Sequence, residues 1–291
     1  MFNTSTLGYK LISGQLKKNR KHSEQLNKFV AGLIDSDGWV SLDFCRNRIQ
    51  IQCGIVQSSS NDPDFQMLRA IHDYYELGTV IYRSHEIPSH TDQCRWTLRT
   101  KESKILFNRL GKHLRIKGTH WDNLIYLSNE LGDLILTDSQ VNELKEFSTC
   151  SRNNSKWLKH PKHPSWSWLA GYLAGDGHFE FRTKRDSYNL RVSAIANEKD
   201  IHVLKFIEAA FRGRVARANL SPEKPNYNNF TWRRGLGKAH KSFSLPFLKK
   251  LRMYMCIEKK YNTINSMIEY LERDTKTKHS ELERESNSLT V

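Results

Sequence analysis

The sequence predicts an α+β protein assembled from two copies of one unit of helices and antiparallel hairpins. The first observation is a repeated run. Phe29-Val30-Ala31-Gly32-Leu33-Ile34-Asp35-Ser36-Asp37-Gly38 returns as Trp168-Leu169-Ala170-Gly171-Tyr172-Leu173-Ala174-Gly175-Asp176-Gly177. The second is that each run is followed by the same order of patterns, hairpin, helix, hairpin, helices. The third is length, since 291 residues hold two ordinary domains, each able to bury a core.

The elements follow in order. Residues 1–23 carry Lys10, Lys17, Lys18, Arg20 and Lys21 without the compact apolar block of a secretory signal, and read as a basic arm. The first domain spans 24–132. Its motif helix leads into a strand over 39–44 with Val40, Leu42 and Phe44 on one face, a turn at Asn47, and a strand over 48–53. Asn61-Asp62-Pro63 starts a helix over 64–76, with Phe65, Leu68, Ile71, His72 and Tyr75 at helical spacing. Strands over 79–85 and 93–100 form a second hairpin, with Trp96 and Leu98 inward. Helices follow over 103–110 and 121–131. Residues 133–163 read as a linker, ending in the Lys/Pro/Ser-rich stretch 156–165.

The second domain, 164–271, repeats the plan. A strand over 178–182 turns near Asp186-Ser187 into a strand over 189–195. A helix over 200–211 places Ile201, Leu204, Ile207 and Ala210 on one stripe. Strands over 214–219 and 229–234 flank a Pro/Asn loop, 221–228. Helices over 240–250 and 261–271 close the unit, and 272–291 is a mixed-charge tail, a frayed helix or disorder.

A net charge of +15 and a pI near 9.6 favour a polyanionic partner, nucleic acid or an anionic membrane surface. No run approaches 18 consecutive apolar residues, so no membrane span is expected. Five scattered cysteines without a CxxC pair point to a reducing compartment and away from a structural zinc site. The histidines form no ligand spacing, and His160 and His163 stand among prolines in the linker.

Asp35 and Asp37 are two apart, so on one helix they point about 200° away from each other. Ala174 stands in the second copy where Asp35 stands in the first. The repeat therefore selects Asp37 and Asp176, 139 positions apart (176 minus 37), as the matched pair. An acid in the last turn meets the negative helix end, at a cost of about 0.3–1 kcal/mol, and meeting it twice implies an offsetting partner. Gly32 and Ser36, and Gly171 and Gly175, form small stripes that let two helix backbones approach. Packed through these stripes, the two helices bring Asp37 and Asp176 side by side. Such carboxylates repel unless cations sit between them, and Mg²⁺ prefers carboxylate and water oxygens. Metal pairs about 3.5–4 Å apart recur in phosphodiester hydrolysis.

The stretches Val30 to Gly38 and Leu169 to Gly177 resemble the two signature motifs of monomeric LAGLIDADG homing endonucleases, and the resemblance extends over 24–271. It implies two pseudo-symmetric αββαββα domains forming a saddle of antiparallel sheets. It also implies intron-encoded, site-specific cleavage of double-stranded DNA by a monomer, each motif acid helping to cut one strand. Asp37 and Asp176 would hold two or three Mg²⁺ ions, with Mn²⁺ replacing them in cleavage and Ca²⁺ in binding only. Carried over residue by residue, Gln57 and Asn197 take the place of a polar residue at the end of the second strand that orients water. Lys117, in Leu114-Arg115-Ile116-Lys117, takes the place of a basic residue near the scissile phosphate. In the second half both Lys259 and Lys260 fit that place. Val30, Ser36, Tyr172, Ala174 and Gly175 depart from the consensus without touching the matched acids.

The outward hairpin faces are expected to read DNA. In the first half they carry Ser41, Asp43, Arg46, Arg48, Gln50, Gln52, Arg83, Arg95, Thr97 and Arg99. In the second they carry His178, Glu180, Arg182, Lys184, Arg191, Ser193, Arg214, Arg217, Asn229, Thr231 and Arg233. A two-stranded ribbon fits the major groove, where Arg, Gln and Asn pair bidentately with guanine and adenine. Phe44, Trp96, Phe179, Phe181, Phe230 and Trp232 have the phase of core residues. Trp39 is the exception, placed against DNA or at the domain seam.

Two rivals keep the scaffold: a maturase binding its own group I intron RNA, and a DNA-binding regulator that does not cut. Retention of both acids favours cleavage. Met1 and Val291 lack the residues of protein-splicing ends, so an intein is not expected. The expected location is intracellular and reducing, an organelle (chloroplast or mitochondrion) or a prokaryotic cytoplasm.

Overall fold

The computed structural model describes residues 4–16, 20–60, 62, 65–84, 91–153, 164–184, 187–218, 229–236 and 241–288, with backbone alone at 183–184, 187–189 and 274–288. The first half runs α1 (Leu7–Ile12), α2 (Arg20–Asp37), β1 (Gly38–Cys45), β2 (Arg48–Ser58), α3 (Gln66–Tyr75), β3 (Thr79–Arg83), β4 (Gln93–Leu98), α4 (Thr100–Leu110), α5 (Gly118–Glu130) and α6 (Asp138–Asn153). The second runs α7 (Trp166–Gly175), β5 (Gly177–Lys184), β6 (Ser187–Asn197), α8 (Ile201–Phe211), β7 (Arg214–Arg217), β8 (Asn229–Gly235), α9 (Lys241–Tyr254) and α10 (Glu258–Ser288). The expected loop 221–228, the turn at Asp186, His160 and His163 lie outside the described residues.

The strands form two four-stranded antiparallel sheets, ordered β1-β2-β4-β3 and β5-β6-β8-β7. Their registers are the same: Gly38 lies opposite Ile55, and Gly177 opposite Ala194. Arg46 and Asn47, at φ of 49° and 56°, turn β1 into β2. Two successive left-handed residues match the right-handed twist of the flanking strands. Each sheet buries one tryptophan at the same register position. Trp96 and Trp232 donate their indole N–H to Leu77 O and Arg212 O, both at 2.7 Å, which satisfies the only polar atom of a large apolar side chain.

The motif helices lie between the two sheets, which is why α7 buries every residue from Ser167 to Ala174 rather than a single stripe. Ser165 caps α7, its hydroxyl accepting from Trp168 N at 3.1 Å. Helix α2 packs along α7 backbone to backbone. A Cβ on Gly32 would stand 2.8 Å from Tyr172 N, and one on Gly171 would stand 2.8 Å from Phe29 C and 3.0 Å from Leu33 N.

Three segments differ from the sequence reading. The basic arm is not free: Leu7, Leu11 and Leu16 are buried, and α1 docks on α3 of the first half and α9 of the second. The linker contains α6, which packs under the first sheet. Leu136 and Val141 join Ile49 in a small separate core, and Asn47 Nδ2 donates to Asp138 Oδ1 at 3.1 Å. Finally, the helix expected over 261–271 runs as α10 from 258 to 288, so the tail takes the helical one of its two expected forms. No helix among the described residues is long and apolar enough to cross a membrane.

Candidate active site

Helix α2 runs to Asp37, and α7 stops at Gly175 with Asp176 as its C-cap. The two ends meet. A Cβ on Gly175 would stand 2.8 Å from the Asp37 carboxyl carbon, so that carboxyl rests against the backbone just before Asp176. Gln57, buried near the end of β2, donates from Nε2 to Asp37 Oδ2 at 2.6 Å. Its other amide atom, Oε1, is buried without a partner among the described residues.

A lysine caps each helix end. Lys117 Nζ donates to Ile34 O and Gly38 O at 2.6 Å and to Asp35 O and Ser36 O at 3.1 Å. Lys260 Nζ donates to Leu173 O at 2.9 Å, Ala174 O at 2.6 Å and Gly175 O at 3.2 Å. The last carbonyls of a helix have no partner within it and carry the negative end of the dipole. These ammonium groups satisfy the carbonyls and offset the cost of an acid there. Lys260 is thus the counterpart of Lys117. Lys259 reaches across the seam instead, donating to Ser60 O at 3.0 Å.

Asp35 faces away from Asp37, as two residues on a helix must. It is 3% exposed, and its carboxylate accepts from Arg115 N at 2.7 Å, Ile116 N at 3.0 Å, Lys117 N at 3.1 Å and Trp168 Nε1 at 3.1 Å. One side chain therefore pins the segment carrying Lys117 and ties it to the opposite motif helix.

The second half is not a copy at the strand position. With Gly38 opposite Ile55 and Gly177 opposite Ala194, the equivalent of Gln57 is Ala196, not Asn197. Asn197 is exposed on the other face of β6, its side-chain oxygen accepting from Lys199 N at 3.4 Å. The expectation for Asn197 fails because side chains alternate along a strand, so a slip of one residue changes the face.

Asp176 lies at the exposed rim, yet its carboxyl is pushed up to about 6, first by the surrounding protein and then by the facing Asp37 carboxylate. Burial also raises Asp37, against the pull of Lys260, the Gln57 amide and Lys117. Lys260 falls to about 8 because it is desolvated, although both acids oppose the shift. An acid whose folded value is raised stabilises the fold at low pH, and that stability is lost as pH climbs from about 4 through 6. Without divalent cations, Asp176→Asn should therefore melt above the parent at pH 7, by a few degrees at most because solvent screens an exposed acid, and level with it near pH 4. Thermal melts across that range check this. A variant that melts lower at pH 7 would show that the acids do not repel.

No protein-family model and no curated protein matches the chain by sequence. Solved structures match it in shape. The LAGLIDADG meganuclease I-AabMI bound to uncleaved DNA is 18% identical, with 87% of this chain and 92% of that chain covered at a TM-score of 0.63. The LAGLIDADG homing endonuclease I-GzeII in complex with its DNA target gives 16%, the same coverages and 0.63. I-SmaMI bound to an uncleaved DNA target in the presence of calcium ions gives 14%, 87%, 92% and 0.59. The chain has the LAGLIDADG meganuclease fold.

Within that fold the two sheets present one outer face each. By register, Ser41, Asp43, Arg48, Gln50, Gln52, Arg83, Arg95 and Thr97 share the first, with Trp39 lying over Gly54 beneath the Arg95 guanidinium, 5.1 Å from its ring. His178, Glu180, Arg182, Arg191, Arg214, Asn229 and Arg233 share the second, where Glu180 pairs with Arg191 at 3.5 Å. Five expected readers are placed differently. Ser193 and Thr231 share the second face but are only 8% and 4% exposed. Arg217 lies opposite Phe230 and shares the face of Val215. Arg46 sits in the turn, and Arg99 is the N-cap of α4, its N–H donating to Glu102 Oε2 at 3.2 Å. The Lys184 side chain lies outside the described residues.

At the LAGLIDADG helix ends the donor set suits a hard divalent cation: two carboxylates, one of them exposed, and a free amide oxygen. No third His, Cys, Asp or Glu joins them among the described residues. That fits Mg²⁺, which is commonly held by one or two carboxylates while water and phosphate oxygens complete its shell.

Proposed function

We propose that this chain is a site-specific double-strand DNA endonuclease of the intron-encoded homing type, dependent on a divalent metal. The observation that carries the proposal is the meeting of Asp37 and Asp176 where the two motif helices end, beside two sheets whose outer faces both bear arginines. The DNA complexes of proteins with the same fold support it.

Asp37 and Asp176 would hold Mg²⁺, or Mn²⁺ in its place, with Ca²⁺ supporting binding alone. Such an ion, when bound, neutralises charge building on the phosphoryl oxygens and lowers the pKa of an attacking water. Gln57 fixes the Asp37 carboxylate with its amide N–H. Lys117 and Lys260 place positive charge near both acids, which opposes the rise that burial causes and favours the charged carboxylates a cation needs. Arg, Gln and Asn on the outer faces recognise base edges, and the surrounding lysines meet phosphates. The free cysteines suit a reducing compartment, organellar or prokaryotic.

The test is incubation of the purified chain with Mg²⁺ and a supercoiled plasmid library carrying randomised inserts, followed by sequencing of the ends. One long site cut on both strands is the expected result. If about six to ten phosphates are neutralised, log affinity falls against log salt with a slope of about −5 to −9. Absence of cutting with both Mg²⁺ and Mn²⁺, together with equal affinity for every duplex, would overturn the proposal.

A further inference from the structure

We infer that Trp39 positions Arg95 to read one guanine beside the bond that Asp37 helps to cut, so that this chain selects a guanine there. This inference rests on the endonuclease reading above and names the base that one part of the interface recognises.

The observations behind it are geometric. Trp39 and Arg95 share the outer face of the first sheet, but Trp39 is in β1 and Arg95 in β4, with β2 running between them. An indole on β1 meets a residue of β4 only across a position without a side chain. Gly54 is that position. It lies opposite Trp39, and a Cβ on it would stand 2.8 Å from Trp39 Cζ2, so the ring fills the space a side chain would take. The Arg95 guanidinium carbon then lies over the ring, 5.1 Å from its centre. Among the described residues no carboxylate pairs with Arg95, and its Nε is buried without a hydrogen-bond partner. The stack on Trp39 is what holds it.

Both residues stand at the edge of the candidate active site. Trp39 follows Asp37 by two positions, and Gln57, which holds the Asp37 carboxylate, lies opposite Cys94, the neighbour of Arg95. The second sheet has no such stack. By register His178, Ser193 and Thr231 occupy the places of Trp39, Gly54 and Arg95.

A guanidinium over an aromatic face is held through its flat side, and its N–H groups, which lie in its own plane, stay available to donate. A carboxylate partner would occupy those donors. Arginine donating to guanine O6 and N7 together discriminates against the wrong base by about 5- to 150-fold. A side chain ordered before binding loses less freedom on contact, a difference of about 2- to 12-fold in affinity. Arg95 is therefore the residue that touches the base, and Trp39 is a positioning residue.

The experiment uses the full chain with Mg²⁺ and a library of the selected site randomised position by position, the cut duplexes being sequenced. Competition binding in Ca²⁺ is the second readout. The parent should prefer G·C by at least about fivefold at one position next to the cut on the Asp37 side. Arg95→Ala should abolish that preference and keep those elsewhere in the site. Trp39→Leu should weaken it by about 2- to 12-fold, and Trp39→Phe, which keeps an aromatic face, should restore most of it. In the Arg95→Ala background Trp39→Leu should change nothing further at that position, a result that a merely structural role for Trp39 would not produce. If Trp39→Leu does not fold, Trp39→Met takes its place. A parent that cuts without any guanine preference dependent on Arg95 would overturn the inference. So would a Trp39 variant that relaxes the same position equally with and without Arg95. A parent that neither cuts nor distinguishes one duplex from another would remove the endonuclease reading itself, and this inference with it.

Discussion

Replacing Asp37 or Asp176 by Asn is expected to end double-strand cleavage while DNA binding in Ca²⁺ survives. Asn keeps the shape and one oxygen but loses the charge that attracts a cation. Loss of a metal-binding carboxylate removes several kcal/mol of transition-state stabilisation, which is a rate loss of at least about 100-fold. Neither variant should misfold. The Asp176 carboxyl is raised by burial and then by the facing Asp37, so Asp176→Asn relieves a repulsion, while Asp37→Asn keeps a side-chain oxygen that can accept from Gln57 Nε2. The outer sheet faces are also untouched. Supercoiled plasmid carrying the selected site gives the measurement, since nicked and linear products separate on a gel. Either variant producing linear DNA at the parental rate would show that these acids are not the reacting pair.

That pair was legible in the sequence because an internal repeat compares a chain with itself. Ala174 against Asp35 sorted the two candidate acids of the first motif, and the structure places Asp35 on backbone amides instead of the shared centre. The same comparison, applied to Gln57, lands on Ala196. Counting from the strand end instead led to Asn197, one residue and one face away. Lys259 and Lys260 could not be separated in advance, because adjacent residues at the start of a helix differ only in which neighbours they meet. Arg217 was misplaced for a simpler reason: it is three residues from Arg214, so the two cannot share a strand face. The docked α1 and the helix α6 left little pattern. Each buries only a few apolar residues, and Val141 is the sole buried residue of α6. The bond from Trp168 to Asp35 spans 133 positions, and no local pattern announces it.

Gly171→Ala should cost far more activity than stability. Its new methyl group would stand 2.8 Å from Phe29 C and 3.0 Å from Leu33 N, and these are backbone atoms of a buried helix that no rotamer change can move aside. The helices must separate. Overpacking of this kind costs about 1–3 kcal/mol, and each kcal/mol lowers the melting temperature by about 2–4 °C in a domain of this size. The larger effect lies at the far end of the seam. The approach of Asp37 to Asp176 depends on Gly175 lying against the Asp37 carboxyl, only four residues beyond Gly171 on the same stripe. Misplacing reacting groups by about 1 Å can cost about 100-fold in rate. Cutting should therefore fall by about that factor while the melt stays cooperative and the outer sheet faces still bind DNA. Gly32→Ala, which meets Tyr172 N at 2.8 Å, should do the same, and the pair should be less than additive because both changes open one interface. Gly235→Ala is the control, since nothing lies within 4 Å of its new methyl group. Cleavage rates and thermal melts of the three variants make the comparison. A Gly171→Ala protein that cuts like the Gly235→Ala protein would mean that contact between the motif helices does not set the spacing of the acids.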